Sequence, residues 1–245
     1  LKDLKKKENP FREDAELHKE LLNQVYGIDI NPFPAQLSSI NLAVRNLKVR
    51  SENINLVVSD FFKIKPGMAP LPPEFDVVLT NPPYTRQEEL EYKEKIRDAA
   101  LTYSDGFRID LDARAGIYAY FFTHSAKFLK NGGRMGYITS NTWLDVGFGE
   151  ALKKFFLDHF KILAIVEFDA AVFGKALVNT CVSILEKSDD HRARTENTVK
   201  FVRVKKPMNI DEVVNNISMI DENYEGDQLS IVLKKQVELK PEERW

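Results

Sequence analysis

Apolar positions fall into short runs and helically spaced stretches along this chain. Leu17, Leu21, Leu22 and Val25 recur at helical spacing and predict a helix within residues 1–25. Tyr26 to Ile30 is a short apolar strand with Asp29 near its end, and Pro32 turns the chain after it. Leu37, Ile40, Val44 and Leu47 then follow at spacings of three, four and three, as in an amphipathic helix. A second strand, Ile54 to Val58, runs into Ser59-Asp60-Phe61-Phe62. Pro66-Gly67 and Pro70 to Pro73 mark a loop. The third strand, Phe75 to Thr80, has to stop at Asn81, because Pro82 and Pro83 carry no N–H for a ladder. Pro82 also holds Asn81 extended.

Residues 85–112 are charged without a clean apolar period and predict an exposed helical excursion, either a lid, a DNA-facing loop or a solvated helix. Gly116 to Leu129 is strongly apolar and predicts a helix that ends at Asn131-Gly132-Gly133, where glycine supplies a left-handed cap. Arg134 to Thr139 reads as a strand closed by Ser140-Asn141, Trp143 to Leu157 as a helix, and Ile162 to Phe168 as a strand. A short loop leads from there to a strand at Asn179 to Leu185, too short for a crossover, so these two strands pair antiparallel. Beyond the polar break at Ser188 to Thr195 come a strand, Val199 to Val204, and a short helix, Ile210 to Ile220. Asp221 to Trp245 reads as a polar connector with one apolar spot, Leu229 to Leu233.

Alternation of this kind predicts an α/β fold with a mostly parallel sheet and helices on both faces. The first three strands end in Asp29, Asp60 and Asn81, and right-handed crossovers bring all three to one edge. Open α/β sheets bind ligands at that edge.

Composition narrows the function classes. The chain has 245 residues, 43% hydrophobic and 29% charged, an ordinary globular balance. No apolar run has the length of a membrane span, and no signal peptide opens the chain. The single cysteine, Cys181, forms no internal disulfide, which fits a reducing cytoplasm. The four histidines are scattered, with no zinc-ligand spacing. Neither a nucleophile elbow nor a phosphate loop is present. At a net charge of −2, nucleic-acid binding needs a local basic face or another domain.

Asn81-Pro82-Pro83-Tyr84 resembles the catalytic tetrapeptide of the S-adenosylmethionine-dependent amino-methyltransferases, above all the N6-adenine DNA methyltransferases. Gly27 to Pro32 is similar to the second-strand cofactor motif of that family, and Ser59 to Phe62 to its third-strand motif. Ile117-Tyr118 with Phe121 resembles the helix after the catalytic loop, and Gly132 to Ile138 with Ser140-Asn141 the fifth strand. Phe173-Gly174-Lys175 through Asn179-Thr180 resembles the loop before the antiparallel last strand. The likeness covers residues 17–187, and the insertion after Tyr84 most resembles the methyltransferase part of type II-G or type I restriction–modification proteins.

The resemblance implies a Rossmann-like class I methyltransferase fold. The family's first strand and glycine-rich cofactor loop have no counterpart here, since their expected position lies before Leu1. It implies a catalytic domain over 1–187, with the insertion at 85–112, and an extension at 188–245 toward a target-recognition region or specificity subunit. It implies S-adenosylmethionine as cofactor, bound by Asp29, Ile30, Asp60, Phe61, Asn81 and Pro83, and no metal. Its substrate is double-stranded DNA with an adenine flipped from the stack. The amine of adenine is a weak nucleophile because its lone pair is delocalised into the ring. Acceptors on its hydrogens, the Asn81 side-chain oxygen and the Pro82 carbonyl, would favour a more reactive nitrogen by preorganised dipoles. Tyr84 would stack on one face of the base, worth about 1–3 kcal/mol, and Phe173 would close the other. Core packing accounts equally well for Phe121 and Phe173.

Two rival readings stay open. A protein-glutamine or RNA amino-methyltransferase faces the same lone-pair problem. A non-catalytic DNA-binding or assembly module could keep the same fold.

Overall fold

The computed structural model describes residues 2–49, 54–83, 90–102, 109–111, 115–145, 147, 149–169 and 180–245. The chain divides into two compact units, one up to Pro73 and one from Glu74 to Trp245. Among the described residues no helix is long and apolar enough to cross a membrane.

In the first unit, helix α1 (Lys2–Glu8) and helix α2 (Asp14–Gln24) are tied by the Lys5 ammonium and the Arg12 guanidinium, which share the Glu20 carboxylate. These hydrogen bonds hold that carboxyl down to about 2. Helix α2 buries the expected stripe, Leu17, Leu21 and Leu22. Strand β1 (Tyr26–Asp29) and strand β2 (Asn55–Val58) pair in parallel, with helix α3 (Pro32–Val44) as the crossover.

The stripe expected to face the sheet from α3 does not. Leu37, Ile40, Val44 and Leu47 are 48%, 58%, 53% and 85% exposed, while Ala35 is buried and Leu42 and Ala43 half-buried. Helix α3 is apolar on two sides, so periodicity alone cannot choose the inner one. Two four-residue strands offer a narrow bed, and the small alanines allow the closer approach.

The second unit is built on seven strands: β3 (Phe75–Thr80), β4 (Leu129–Ser140), β5 (Phe160–Phe168), β6 (Thr180–Lys187), β7 (Thr198–Val204), β8 (Tyr224–Glu225) and β9 (Leu229–Lys235). Their spatial order is β3-β4-β6-β5-β7-β9-β8. Strand β6 is antiparallel to both β4 and β5, as the short loop before it requires, whereas β3 with β4 and β5 with β7 run parallel. Helices α4 (Leu90–Leu101), α5 (Ile117–Ser125), α6 (Glu150–His159), α7 (His191–Thr195) and α8 (Ile210–Met219) lie between them in the chain. Side chains alternate across the sheet. Tyr137 of β4 stacks on Phe122 of α5 at 4.2 Å, and Phe156 of α6 meets Phe122 edge-on at 5.0 Å. Ala164, Val166, Val202, Val204, Leu229 and Ile231 form a separate core with Val213 of α8.

Three further expectations change. Strand β4 starts at Leu129, so the glycines at 132 and 133 lie inside a strand and cap no helix. Leu129 pairs with Phe75 and Arg134 with Val77, so the intervening residues bulge. Gly132 has φ 79°, and a Cβ on Gly133 would sit 2.9 Å from the Lys130 carbonyl. The helix expected from Trp143 begins only at Glu150, after a 3-10 turn at Asn141–Leu144. Finally, the 221–245 stretch, read as a polar connector with one apolar spot, carries β8 and β9, which join the sheet beside the expected strand β7. Leu229, Ile231 and Leu233 alternate inward opposite Val204, Val202 and Lys200, a strand pattern hidden in five residues of mixed character.

The insertion falls partly outside the described residues. Its described helix α4 is docked, with Ile96, Ala100 and Leu101 buried and His124 and Lys127 both bonded to the Ala99 carbonyl.

Gln236 closes the amino end of β5. Its side-chain oxygen accepts from Ile162 N at 2.9 Å and Asn197 Nδ2 at 2.9 Å, and its Nε2 donates to the Phe160 carbonyl at 2.7 Å. Gln236→Leu strands two buried backbone groups and is expected to lower the unfolding free energy by about 2–4 kcal/mol in urea titration. An unchanged midpoint would refute this account. Cys181 is fully buried on β6, and burial pushes its thiol up to about 11. At pH 8 the native protein should therefore alkylate with iodoacetamide about 100-fold more slowly than the urea-unfolded chain. Equal rates would contradict that burial.

Candidate active site

In the first unit, a relay of two turns converts β1 into α3. Asp29 Oδ1 accepts from Asn31 N at 2.8 Å, and Asn31 Oδ1 accepts from Phe33 N at 3.0 Å, with Pro32 opening the helix. Asp and Asn here do what their short polar side chains favour at strand-to-helix corners. Asp29 is half-buried and Ile30 is 67% exposed. Asp60 repeats the device after β2, where its Oδ1 accepts from Phe62 N at 3.0 Å and caps the 3-10 turn Phe61–Lys63. Phe62 is buried in the unit, whereas Phe61 keeps part of its ring open. Strand β1 is parallel to β2 with Asp29 beside Val58, and Ser59 N donates to the Asp29 carbonyl at 3.0 Å. Asp29 and Asp60 thus leave one carboxyl edge, as expected from their strand ends.

In the second unit, β3 ends at Thr80, and Asn81 stands exposed on the corner. Pro82 is buried and Pro83 exposed, so the ring that fixes the backbone is anchored while Asn81 itself remains exposed. Tyr84 and Phe173 lie outside the described residues.

The neighbouring strand ends share this edge. Strand β4 is parallel to β3, with Tyr137 beside Thr80, and runs on to Ser140. Ser140 Oγ caps the turn Asn141–Leu144 and lies 3.1 Å from Thr142 Oγ1, which is 3.2 Å from Tyr118 Oη. Asn141 Nδ2 donates to Glu167 Oε1 of β5 at 2.8 Å, reaching over the start of β6. Asp169 and Arg203 are paired at 2.9 Å just beyond. Phe121 takes a structural part, its carbonyl accepting from Tyr137 Oη at 3.1 Å. Burial raises the phenols of Tyr118 and Tyr137, so both stay protonated at neutral pH.

The sequence reading missed the Asn141–Glu167 bond. Ser140-Asn141 was visible as a strand end, but nothing local signals that Glu167, the acid at the end of an otherwise apolar strand, emerges at the same level.

What these groups can do is bind. Asp29 offers a half-buried carboxylate fit for hydroxyl donors such as those of a ribose, and the Phe61 ring offers an apolar face beside Asp60. The exposed carboxamide of Asn81 is an acceptor on rigid backbone.

Comparison with known proteins places the chain in a family. The chain is 28% identical over 147 residues to the type II methyltransferase M.XamI of Xanthomonas campestris pv. amaranthicola, covering 58% of this chain and 25% of that protein. It is 35% identical over 111 residues to a putative protein N5-glutamine methyltransferase of Methanocaldococcus jannaschii, covering 45% of this chain and 47% of that one. Its fold is shared with the type I restriction–modification methyltransferase subunit of Streptococcus thermophilus, at TM-score 0.62 and 21% identity over 86% of this chain and 44% of that subunit. The chain therefore spans about a quarter of the length of the type II relative. Residues 23–173 match the Eco57I restriction–modification methylase family across the strand ends just described, and the chain belongs to that family.

Proposed function

We propose that the chain carries the methyl-transfer site of a restriction–modification DNA methyltransferase acting on the N6 amine of an adenine turned out of the duplex. The observation that supports it is the corner after β3, where an exposed amide stands on backbone fixed by a buried proline. Asn81 and the Pro82 carbonyl accept the two amine hydrogens and shift electron density onto the nitrogen, with little reorganisation because both are held in advance. Tyr84 and Phe173 hold the flipped base by stacking. Asp29 and Ile30 orient the ribose of S-adenosylmethionine, Asp60 and Phe61 its adenine, and Asn81 with Pro83 line its reacting end. The bound cofactor supplies an electrophilic methyl group. The buried thiol of Cys181 fits a reducing, cytoplasmic setting. Beyond the described sheet, a target-recognition region or specificity subunit supplies the DNA sequence preference.

A second reading has one specific observation in its favour. The putative N5-glutamine methyltransferase matches as strongly in identity as any type II relative quoted above. An amide acceptor poses the same nucleophilicity problem and takes the same corner.

The test uses the full-length protein and labelled S-adenosylmethionine, offered with DNA, RNA and a glutamine-bearing protein in parallel. Transfer to adenine in DNA is expected, and transfer to the protein alone would replace the first reading with the second. Asn81→Ala should reduce kcat by at least about 100-fold while leaving cofactor affinity within twofold by calorimetry. Normal turnover in that variant would remove Asn81 from the chemistry.

A further inference from the structure

Lys153 is the fourth residue of α6 and is fully buried. A cation there opposes the helix dipole, and an ammonium is costly to desolvate. Its three N–H groups meet three carbonyls: Leu144 at 3.3 Å, Asp145 at 3.1 Å and Glu243 at 2.6 Å. Burial lowers its pKa, against the pull of Asp145, Glu150 and Glu242. Two of these acceptors close the turn that starts at Asn141, and the third lies 90 residues away.

The distant acceptor belongs to a segment that returns to the same turn by other contacts. Gln236 anchors it at the amino end of β5. It then reaches the 141–145 turn, where Trp245 N donates to the Leu144 carbonyl at 3.1 Å and Arg244 pairs with Asp145 at 3.1 Å. The Trp245 ring meets Trp143 edge-on at 6.0 Å and lies 5.9 Å from the Lys153 ammonium. Trp143 is itself buried against Phe156 at 5.3 Å. The same turn carries Asn141, which follows β4, the neighbour of the β3 strand that ends at Asn81, and which is bonded to Glu167 of β5 on the far side of β6.

We infer that residues 236–245 act as a strap that positions the Asn141–Leu144 turn beside the Asn81 corner, and that Lys153 is the positioning residue joining strap to turn. A methionine of similar length would fill the same volume without the burial cost, so the charge is explained by what it holds. The three carbonyls have one common donor, and without it the turn and the strap each lose a backbone partner. The reach of the device is the edge itself. Shifting Asn141 and Thr142 moves the wall beside β3, and displacements near 1 Å are enough to slow positioned chemistry about 100-fold.

The inference rests on the proposed methyl transfer, and the experiment separates the two. Lys153→Met, Trp245→Ala and Trp245→Phe are made in the full-length protein. Amide hydrogen exchange at residues 142–145 is followed alongside methyl-transfer kinetics. In Lys153→Met and Trp245→Ala, exchange at the turn should rise about tenfold while β4 and β6 stay protected. Then kcat should fall about tenfold with cofactor affinity within twofold. Trp245→Phe, which keeps the ring, should restore most of both. Exchange rising evenly through the sheet would reduce Lys153 to a stability residue and overturn the inference. A loosened turn with unchanged kcat would overturn it equally. A wild-type protein that methylates none of the three acceptors would instead defeat the proposed function, while the exchange data would still decide whether the strap holds the turn.

Discussion

Strand β6 is the constraint on which the second unit depends. It is hydrogen-bonded on both sides, antiparallel to β4 from Ser140 to Arg134 and to β5 from Glu167 to Phe160. Two parallel-running strands are thereby joined through one that runs against them, and their carboxyl ends emerge on the same side. Cys181, Ser183 and Leu185 of β6 are completely buried, so the strand cannot slip by one residue without turning these inward side chains to the opposite face. The Asn141–Glu167 bond is possible only because that register brings the ends of β4 and β5 level across the entrance of β6.

In both units the strand ends are closed by small polar devices more than by large ones. Asp29, Asn31, Asp60 and Ser140 each bind a backbone N–H two residues on, and each sits where a strand gives way to a helix or 3-10 turn. Such caps leave the chain ends stiff and hold their own carboxylates or hydroxyls in place at the same time. Under the proposed function, structural and ligand-binding duties would fall on the same residues, and a substitution at Asp29 or Asp60 would disturb both.

Much of this was legible in the sequence, for a local reason. Strand ends marked by Asp29, Asp60 and Asn81 declare themselves through turn chemistry within four residues, and β3 through its prolines. What escaped depends on distant partners. Helix α3 is apolar on two sides, and only its neighbours decide which side is covered. Strand β9 looked like an isolated apolar spot because its alternation makes sense only beside β7. The bulge at Gly132-Gly133 resembled a helix cap, since both uses exploit the same freedom of glycine. Nothing near Lys153 in the chain announces its distant partners Glu243 and Trp245. Tyr84 and Phe173 keep their roles as proposals resting on the family resemblance alone.

Among the described residues, strand β3 is the outermost of its sheet, with Val77 and Leu79 51% and 75% exposed. Outer strands invite further pairing, and proteins commonly limit this with charge and proline. Here Asp76 is held by Lys130 at one end, and Pro82-Pro83 close the other. That leaves a short landing of uncharged backbone between two stops. A strand arriving there would grip Thr80 from a second side, so the rigidity of the Asn81 corner is a quantity that pairing can raise.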